Sequence, residues 1–302
     1  MAAALRLLTV HAHPDDEASK GAPTVAKYVA EGAEAVLVCC TGGEEGDIQN
    51  KTLLAEGGAF FGLDEAGVKA KLAEVRTLEL ARSVEILGFG ECIMLGYRDS
   101  GMKDTAANDN PASFWQADLD EATGRLVAII RRCKPQVLLT YNDDQQGYPH
   151  PDHLRVHDIS VLAWDRAGDP AWYPHLGEPW APSKMYFTLW SKERSLKIHD
   201  ALMAKHGKSP FNEDWFKRPT QDERITTRVP IADYMWARTD SLRAHATQVD
   251  PDEAWWFGLD DTELADIHPW EDWVLAASRV GFPVLGEIET DLFAGIRETV
   301  AS

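Results

Sequence analysis

The chain has 302 residues, 44% of them hydrophobic, enough to fill a sizeable core, and carries a formal net charge of −19. That charge opposes a nucleic-acid backbone or an anionic membrane surface, so neither is expected as a partner and a small molecule recognised by local contacts is. No basic segment followed by an apolar stretch opens the chain and no run of about 18 apolar residues occurs in it, which predicts a cytoplasmic protein.

In chain order, Leu5 to Val10 reads as a buried strand, Thr24 to Glu31 as a helix closed by Gly32, and Ala35 to Thr41 as a second strand ending at Gly42-Gly43. Cys39 and Cys40 fall in that second strand, where a bridge between neighbours would be strained, so they and Cys92 and Cys133 are expected as free thiols. Lys71 to Leu87 repeats apolar residues at helical spacing and stops at Gly88, and Cys92 to Tyr97 follows as a strand. Leu119 to Cys133 is helical, with Gln136 to Tyr141 a strand after Pro135. This alternation predicts an α/β fold: a mostly parallel sheet with helices on both faces and right-handed crossovers. From about Asp165 the alternation becomes irregular; Trp164 stands at this boundary and nine more of the eleven tryptophans follow it. Residues 1–165 are therefore expected as the sheet domain, and residues 166–302 as a smaller Trp-rich α+β portion lining its pocket.

Ligands of open α/β sheets bind at the carboxyl ends of the strands. Four polar loops fall there: His11 to Glu17, Gly42 to Gly46, Arg98 to Met102 and Asn142 to His153. In the first, "HPDD" sets His13 and Asp16 three residues apart, a spacing that turns both side chains the same way on a first helical turn. In the last, "HPDH" repeats the arrangement at His150 and His153. Imidazole with carboxylate suits Zn²⁺, and a catalytic zinc takes three protein ligands and leaves one position for water. Fe²⁺ occupies such a donor set as readily. Neither a G-x-G-x-x-G after the first strand nor a nucleophile elbow is present, which disfavours a dinucleotide enzyme and a serine hydrolase. Hydrolysis by a metal-activated water is left, with Asp15, on the other side of the turn, placed to take the water's proton. Asp15 and Asp16 would also serve as helix caps and His150 as a turn cap; two His-Pro-Asp sequences, each at a strand end, are hard to obtain from capping alone.

"HAHPDDE" together with "GYPHPDH" resembles the zinc-dependent N-acetylglucosaminyl-phosphatidylinositol de-N-acetylase (PIG-L, LmbE-like) superfamily over at least residues 5 to 160. The resemblance implies a Rossmann-like sheet, with His13, Asp16 and His153 as zinc ligands and Asp15 as general base. It further implies that His150 stabilises the oxyanion or protonates the leaving amine, and that Asp152 orients a histidine.

Within the superfamily the chain is similar almost end to end to enzymes of mycothiol metabolism, through "VHAHPDDEASKGA", "YNDDQQGYPHPDHLRVHDIS", "LRAHATQVDP" and "DLFAGIR". This implies hydrolysis of the amide of a small thiol-sugar conjugate, a mycothiol S-conjugate, to an N-acetylcysteine S-conjugate and glucosaminyl-inositol. The segment "GYRDSGM" keeps a rival open, deacetylation of N-acetylglucosaminyl-inositol, as does a related thiol-sugar adduct of secondary metabolism. A sugar-conjugate binding protein without turnover is the alternative of another class. Oligomeric state is not encoded legibly.

By the same resemblance Arg76, Asp99 and Met102 match positions that hold inositol, Tyr148 a mobile tyrosine that closes over the carbonyl, and Lys20 a lysine typical of the amidase branch. Each has a plainer reading: Arg76 a solvated helix-face charge, Met102 packing, Tyr148 a turn aromatic, Lys20 a surface lysine. Glu44, Glu45 and Asp47 read as a solvated loop. His245 has no partner at any legible spacing. The tryptophans serve the core or, for a few, accept the apolar part of an S-conjugate.

Overall fold

The computed structural model describes residues 4–145 and 148–297; Gln146 and Gly147 of the expected fourth loop lie outside the described residues. The first strand, β1 (Arg6–His11), leads through the loop of residues 12–15 into a one-turn helix, α1 (Asp16–Ser19), and then α2 (Ala22–Ala30), β2 (Glu34–Thr41), α3 (Glu65–Leu87) and β3 (Glu91–Tyr97). After these come α4 (Leu119–Cys133), β4 (Val137–Thr140), α5 (Pro151–Arg166) and β5 (Lys184–Thr188). The remainder runs α6 (Lys192–His206), α7 (Glu213–Phe216), β6 (Thr227–Pro230), α8 (Met235–Ala244), α9 (Ala254–Phe257), α10 (Asp261–Ile267) and β7 (Trp270–Ser278).

The strands form one seven-stranded sheet in the order β3-β2-β1-β4-β5-β7-β6. Neighbours from β3 to β5 pair in parallel, and β7 lies antiparallel to both β5 and β6. Alternation along β1 divides the core: Leu7 packs with Leu37, Leu80, Met235 and Phe293 on one face, and Leu8 with Val38, Leu126, Leu138 and Ile159 on the other. Helices α2, α3 and α8 thus cover one face and α4 and α5 the other, the doubly wound arrangement expected from the βαβ alternation. Cys39 and Cys40 are buried on opposite faces, and all four cysteines are free.

The sheet runs across residue 166. Strands β5, β6 and β7 extend it, so the expected α+β portion contributes three strands to the same layer and does not only cover its edge. The sequence of β7, "WEDWVLAAS", hides its strand character because Glu271 and Asp272 are buried acids, paired with Arg238 and with Ser191, His268 and Arg228. Among the described residues no helix is long and apolar enough to cross a membrane.

Strand order reverses between β1 and β4, because β1 leads outward to β2 whereas β4 returns to its other side. That reversal opens a crevice at the carboxyl ends of these two strands. "HPDD" leaves β1 there, and "HPDH" follows β4.

Candidate metal centre and active site

At the crevice, His13, Asp16 and His153 converge, each offering an atom within 4.8 Å of the others'. Asp16 bridges the pair. Its Oδ2 lies 3.4 Å from His13 Nδ1 and its Oδ1 3.5 Å from His153 Nε2, and all three residues are buried. Their placement has a local cause. Asp16 Oδ2 accepts the His13 backbone N–H at 2.9 Å, so the first turn of α1 fixes the carboxylate against its own strand end. The His153 ring is stacked on Tyr141 with centroids 4.5 Å apart, and Lys20 Nζ donates to Asp16 Oδ1 at 2.5 Å. Lys20 is therefore tied to the carboxylate and is more than a surface lysine.

A second group overlaps the first. His13, Asp99, His150 and Asp152 also gather within 4.8 Å. His13 Nε2 is 3.1 Å from Asp152 Oδ2 and 3.5 Å from Asp99 Oδ1. Burial disfavours the charged His13 ring, but Asp99, Asp152 and Asp16 outweigh it and hold the imidazole well above its ordinary range. Three carboxylates around one imidazole that takes up a proton leave a deficit of positive charge. The donor set, imidazole nitrogens with carboxylate oxygens, is one that Zn²⁺ or Fe²⁺ fits. Asp152 is held by Ser100, whose N–H and hydroxyl both donate to it, and so is fixed against His13 Nε2 from the α5 side.

Asp15 occupies a backbone conformation that side-chain-bearing residues seldom adopt, φ 111°, at a cost of about 1–3 kcal/mol. Two anchors hold it there. Arg76 donates to Pro14 O and Gly43 O at 2.5 Å each and to Asp15 Oδ2 at 3.0 Å; Glu17 Oε2 accepts the Asp15 N–H at 2.9 Å. Burial pushes the Asp15 carboxyl up, Arg76 pulling against it. Arg76 is 2% exposed, so it is no solvated helix-face charge. A Cβ on Gly43, itself at φ +69°, would stand 2.2 Å from the guanidinium, and one on Gly46 2.5 Å from it, which explains these two glycines after β2. The acids beside them are engaged too: Glu44 accepts the Asp99 N–H at 2.9 Å, and Glu45 pairs with Arg98.

His245, without a legible partner in the sequence, finds one in Glu17, to which the sequence reading assigned no role. His245 Nε2 meets Glu17 Oε1 at 2.6 Å, and Ser83 Oγ donates to the same oxygen at 2.5 Å, all buried. The partners stand 228 residues apart, a contact that no spacing reveals. Burial opposes ionisation of both, but the pair overcomes it: Glu17 is lowered from 4.5 and His245 raised from 6.5. The stabilisation from His245 is complete below pH 6.5 and fades as pH rises through its raised value; that from Glu17 is complete above pH 4.5 and fades as pH falls through its lowered one. His245→Asn is accordingly expected to lower unfolding free energy by about 3–5 kcal/mol near pH 5.5, with a gap that narrows toward alkaline pH in denaturant titrations. A gap that widens with pH would contradict the ion pair.

His150 caps α5 as well as facing the site: its Nδ1 accepts the Asp152 N–H at 3.2 Å. Burial, with His13 next, lowers its pKa and favours the neutral ring, whose proton sits on Nε2 while Nδ1 accepts. The site opens into a polar cavity of about 390 Å³ lined by His13, Asp15, Arg76, Asp99, Met102 and Tyr148 among others. Met102 and Tyr148 are half exposed and touch each other, Tyr148 O–H lying 3.4 Å from the Met102 sulfur. The residues expected at the site line this cavity except Asp152, which is fully buried behind His13.

Ligand-type side chains gather around a strained acid at the switch point of a doubly wound sheet, an arrangement suited to a metal-assisted hydrolase. The chain belongs to the GlcNAc-PI de-N-acetylase (PIG-L) family, whose model matches residues 8–164. It is 42% identical over 303 residues to the mycothiol S-conjugate amidase of Streptomyces coelicolor, covering 97% of this chain and 98% of that one. It is 38% identical to 1D-myo-inositol 2-acetamido-2-deoxy-alpha-D-glucopyranoside deacetylase 1 of Catenulispora acidiphila, covering 97% and 90%. In fold it is similar to N,N'-diacetylchitobiose deacetylase of Pyrococcus horikoshii, with TM-score 0.60 and 18% identity over 89% of this chain and 83% of that one.

Proposed function

We propose that the chain hydrolyses the amide of mycothiol S-conjugates, releasing an N-acetylcysteine S-conjugate and glucosaminyl-inositol. The observation that carries the reading is the convergence of His13, Asp16 and His153 beside the strained Asp15 and the neutral His150 in one cavity. Similarity along nearly the whole length to the Streptomyces amidase supports the choice of substrate.

His13, Asp16 and His153 would hold one divalent ion, Zn²⁺ or Fe²⁺, which when bound supplies a water of lowered pKa, about 7 for zinc, and polarises the carbonyl. Asp15 takes the proton as the water oxygen bonds to the carbonyl carbon; Arg76, paired to one carboxylate oxygen, aims the group. His150 donates from Nε2 to the oxyanion. The C–N bond then breaks as the proton on Asp15 passes to the departing glucosamine nitrogen, giving a carboxylic acid and an amine. Arg76 and Asp99 present charge-assisted hydrogen bonds for polyol oxygens in the same cavity, Met102 and Tyr148 bound its mouth, and Lys20 neutralises Asp16 at its edge. Asp152 steadies His13.

The Catenulispora relative keeps deacetylation of N-acetylglucosaminyl-inositol as the second reading. A mass-resolved assay of metal-quantified protein on a mycothiol S-conjugate and on the acetylated sugar, side by side, decides between them. The S-conjugate is expected to have the higher kcat/KM; faster turnover of the acetyl sugar would establish the deacetylase.

A further inference from the structure

Against the polar cavity lies a second one of about 760 Å³, and Ser19, Lys20, Tyr148, His153 and Trp256 line both. Its aromatic lining comes from three separate elements: Trp190 just after β5, Trp215 in α7, and Trp255 and the shared Trp256 in α9. The rings form one connected surface, with centroids 5.7 Å apart for Trp190 and Trp255, 6.0 Å for Trp255 and Trp256, and 6.4 Å for Trp215 and Trp255. They are braced from behind. Phe211 packs on Trp255 at 4.4 Å, and the Arg194 guanidinium sits 4.0 Å from the Trp190 ring centroid. All four indoles remain half-buried, so they do not close into a core but leave surface facing the cavity.

The position of His153 on the shared wall gives this cavity a meaning. An amide whose carbonyl sits beside His153 has two halves that must leave in different directions, the amine half and the acyl half. Arg76 and Asp99 in the polar cavity suit a polyol on the amine side. The acyl half then faces the indoles. An acetyl group would leave almost all of 760 Å³ idle, whereas a cavity of that size with a mainly apolar wall matches a drug-sized group.

We propose that the tryptophan-lined cavity is the acyl-side subsite, that it takes an apolar and preferably aromatic group carried on the acyl half through sulfur, and that Trp190 and Trp255 set this preference. The proposal deepens the amide-hydrolase reading above and rests on it for the placement of the carbonyl. Stacking on an indole face favours an aromatic substituent over an alkyl one of similar area, because offset ring pairs gain beyond area burial. Lys20 and Tyr148 stand at the junction, bounding the passage between the halves.

The test compares the purified, metal-quantified protein with Trp255→Ala, Trp190→Ala and the conservative Trp255→Phe on S-benzyl and S-methyl conjugates of the same thiol-sugar. Binding of S-benzyl-N-acetylcysteine, the acyl product, is measured alongside by calorimetry. The benzyl-to-methyl ratio of kcat/KM is expected to fall about tenfold in each alanine variant and to recover largely in Trp255→Phe, with the product bound about tenfold more weakly. A purely structural role of the rings would lower both rates together and leave the ratio and the product affinity unchanged, which would overturn the proposal. Should the wild-type protein cleave neither conjugate, the S-conjugate reading fails. The calorimetry still judges the subsite in that case: tight product binding lost in Trp255→Ala upholds it, and absence of binding by the wild type removes it.

Discussion

Asp15→Asn protein with its full complement of metal is expected to turn over substrate about 10²- to 10⁴-fold more slowly than the wild type, the range a positioned general base contributes. Asparagine suits this test better than alanine alone. It tolerates the positive φ of residue 15 and still accepts from Arg76, so the turn survives while the basic oxygen is lost. Asp15→Ala should fall at least as far and lose some thermal stability as well, because the ion pair to a buried guanidinium goes with the side chain. The measurement is kcat at saturating substrate together with metal content by mass spectrometry. Full turnover by a metal-replete Asp15→Asn protein would remove Asp15 from the proton-transfer role.

His153→Ala is expected to act at an earlier stage, by emptying the site. Loss of a group that merely supports a metal ligand costs roughly 10- to 100-fold in affinity, and loss of a ligand costs more, so the purified variant should carry little metal and show no turnover. Chelation of the wild-type protein should reproduce the defect, and added Zn²⁺ or Fe²⁺ should restore it. A bound ion also stabilises the fold, by about 4 kcal/mol when free metal is 1,000 times its dissociation constant, so chelation should lower the wild-type Tm and leave that of His153→Ala unmoved. His150→Ala provides the contrast. That ring is placed as an oxyanion donor, so its loss should slow turnover while metal content stays normal. An equal loss of metal in both variants would contradict the division of roles between the two histidines of "HPDH".

The sheet and the heart of the site were legible because each is written locally. Apolar runs and helical periodicity marked β1, β2, β3 and α4 closely, with α4 recovered at the limits Leu119–Cys133. Two His-Pro-Asp sequences at strand ends told where ligand-type residues would meet, since β1 and β4 are neighbours across the switch point. What escaped is written in tertiary pairing. The strand β7 looked irregular because its buried acids find cations and hydroxyls far along the chain. His245 seemed unpartnered since Glu17, its counterpart, belongs to the first loop. Arg76 resembled a surface charge on a helix of weak amphipathy until the glycines of the second loop were seen to make room for it. In each case a polar side chain is buried against a partner that only the fold supplies.

Anomalous diffraction from crystals of the metal-loaded protein tests most directly whether His13, Asp16 and His153 share one ion. His13 belongs to two overlapping groups, so the outcome is discriminating. A single peak is expected about 2.0–2.2 Å from a nitrogen of His13, a nitrogen of His153 and an oxygen of Asp16, with the Asp15 carboxylate beside it and not bound to it. A peak held instead by Asp99, His150 and Asp152, with His153 out of reach, would contradict the proposed centre and the chemistry built on it.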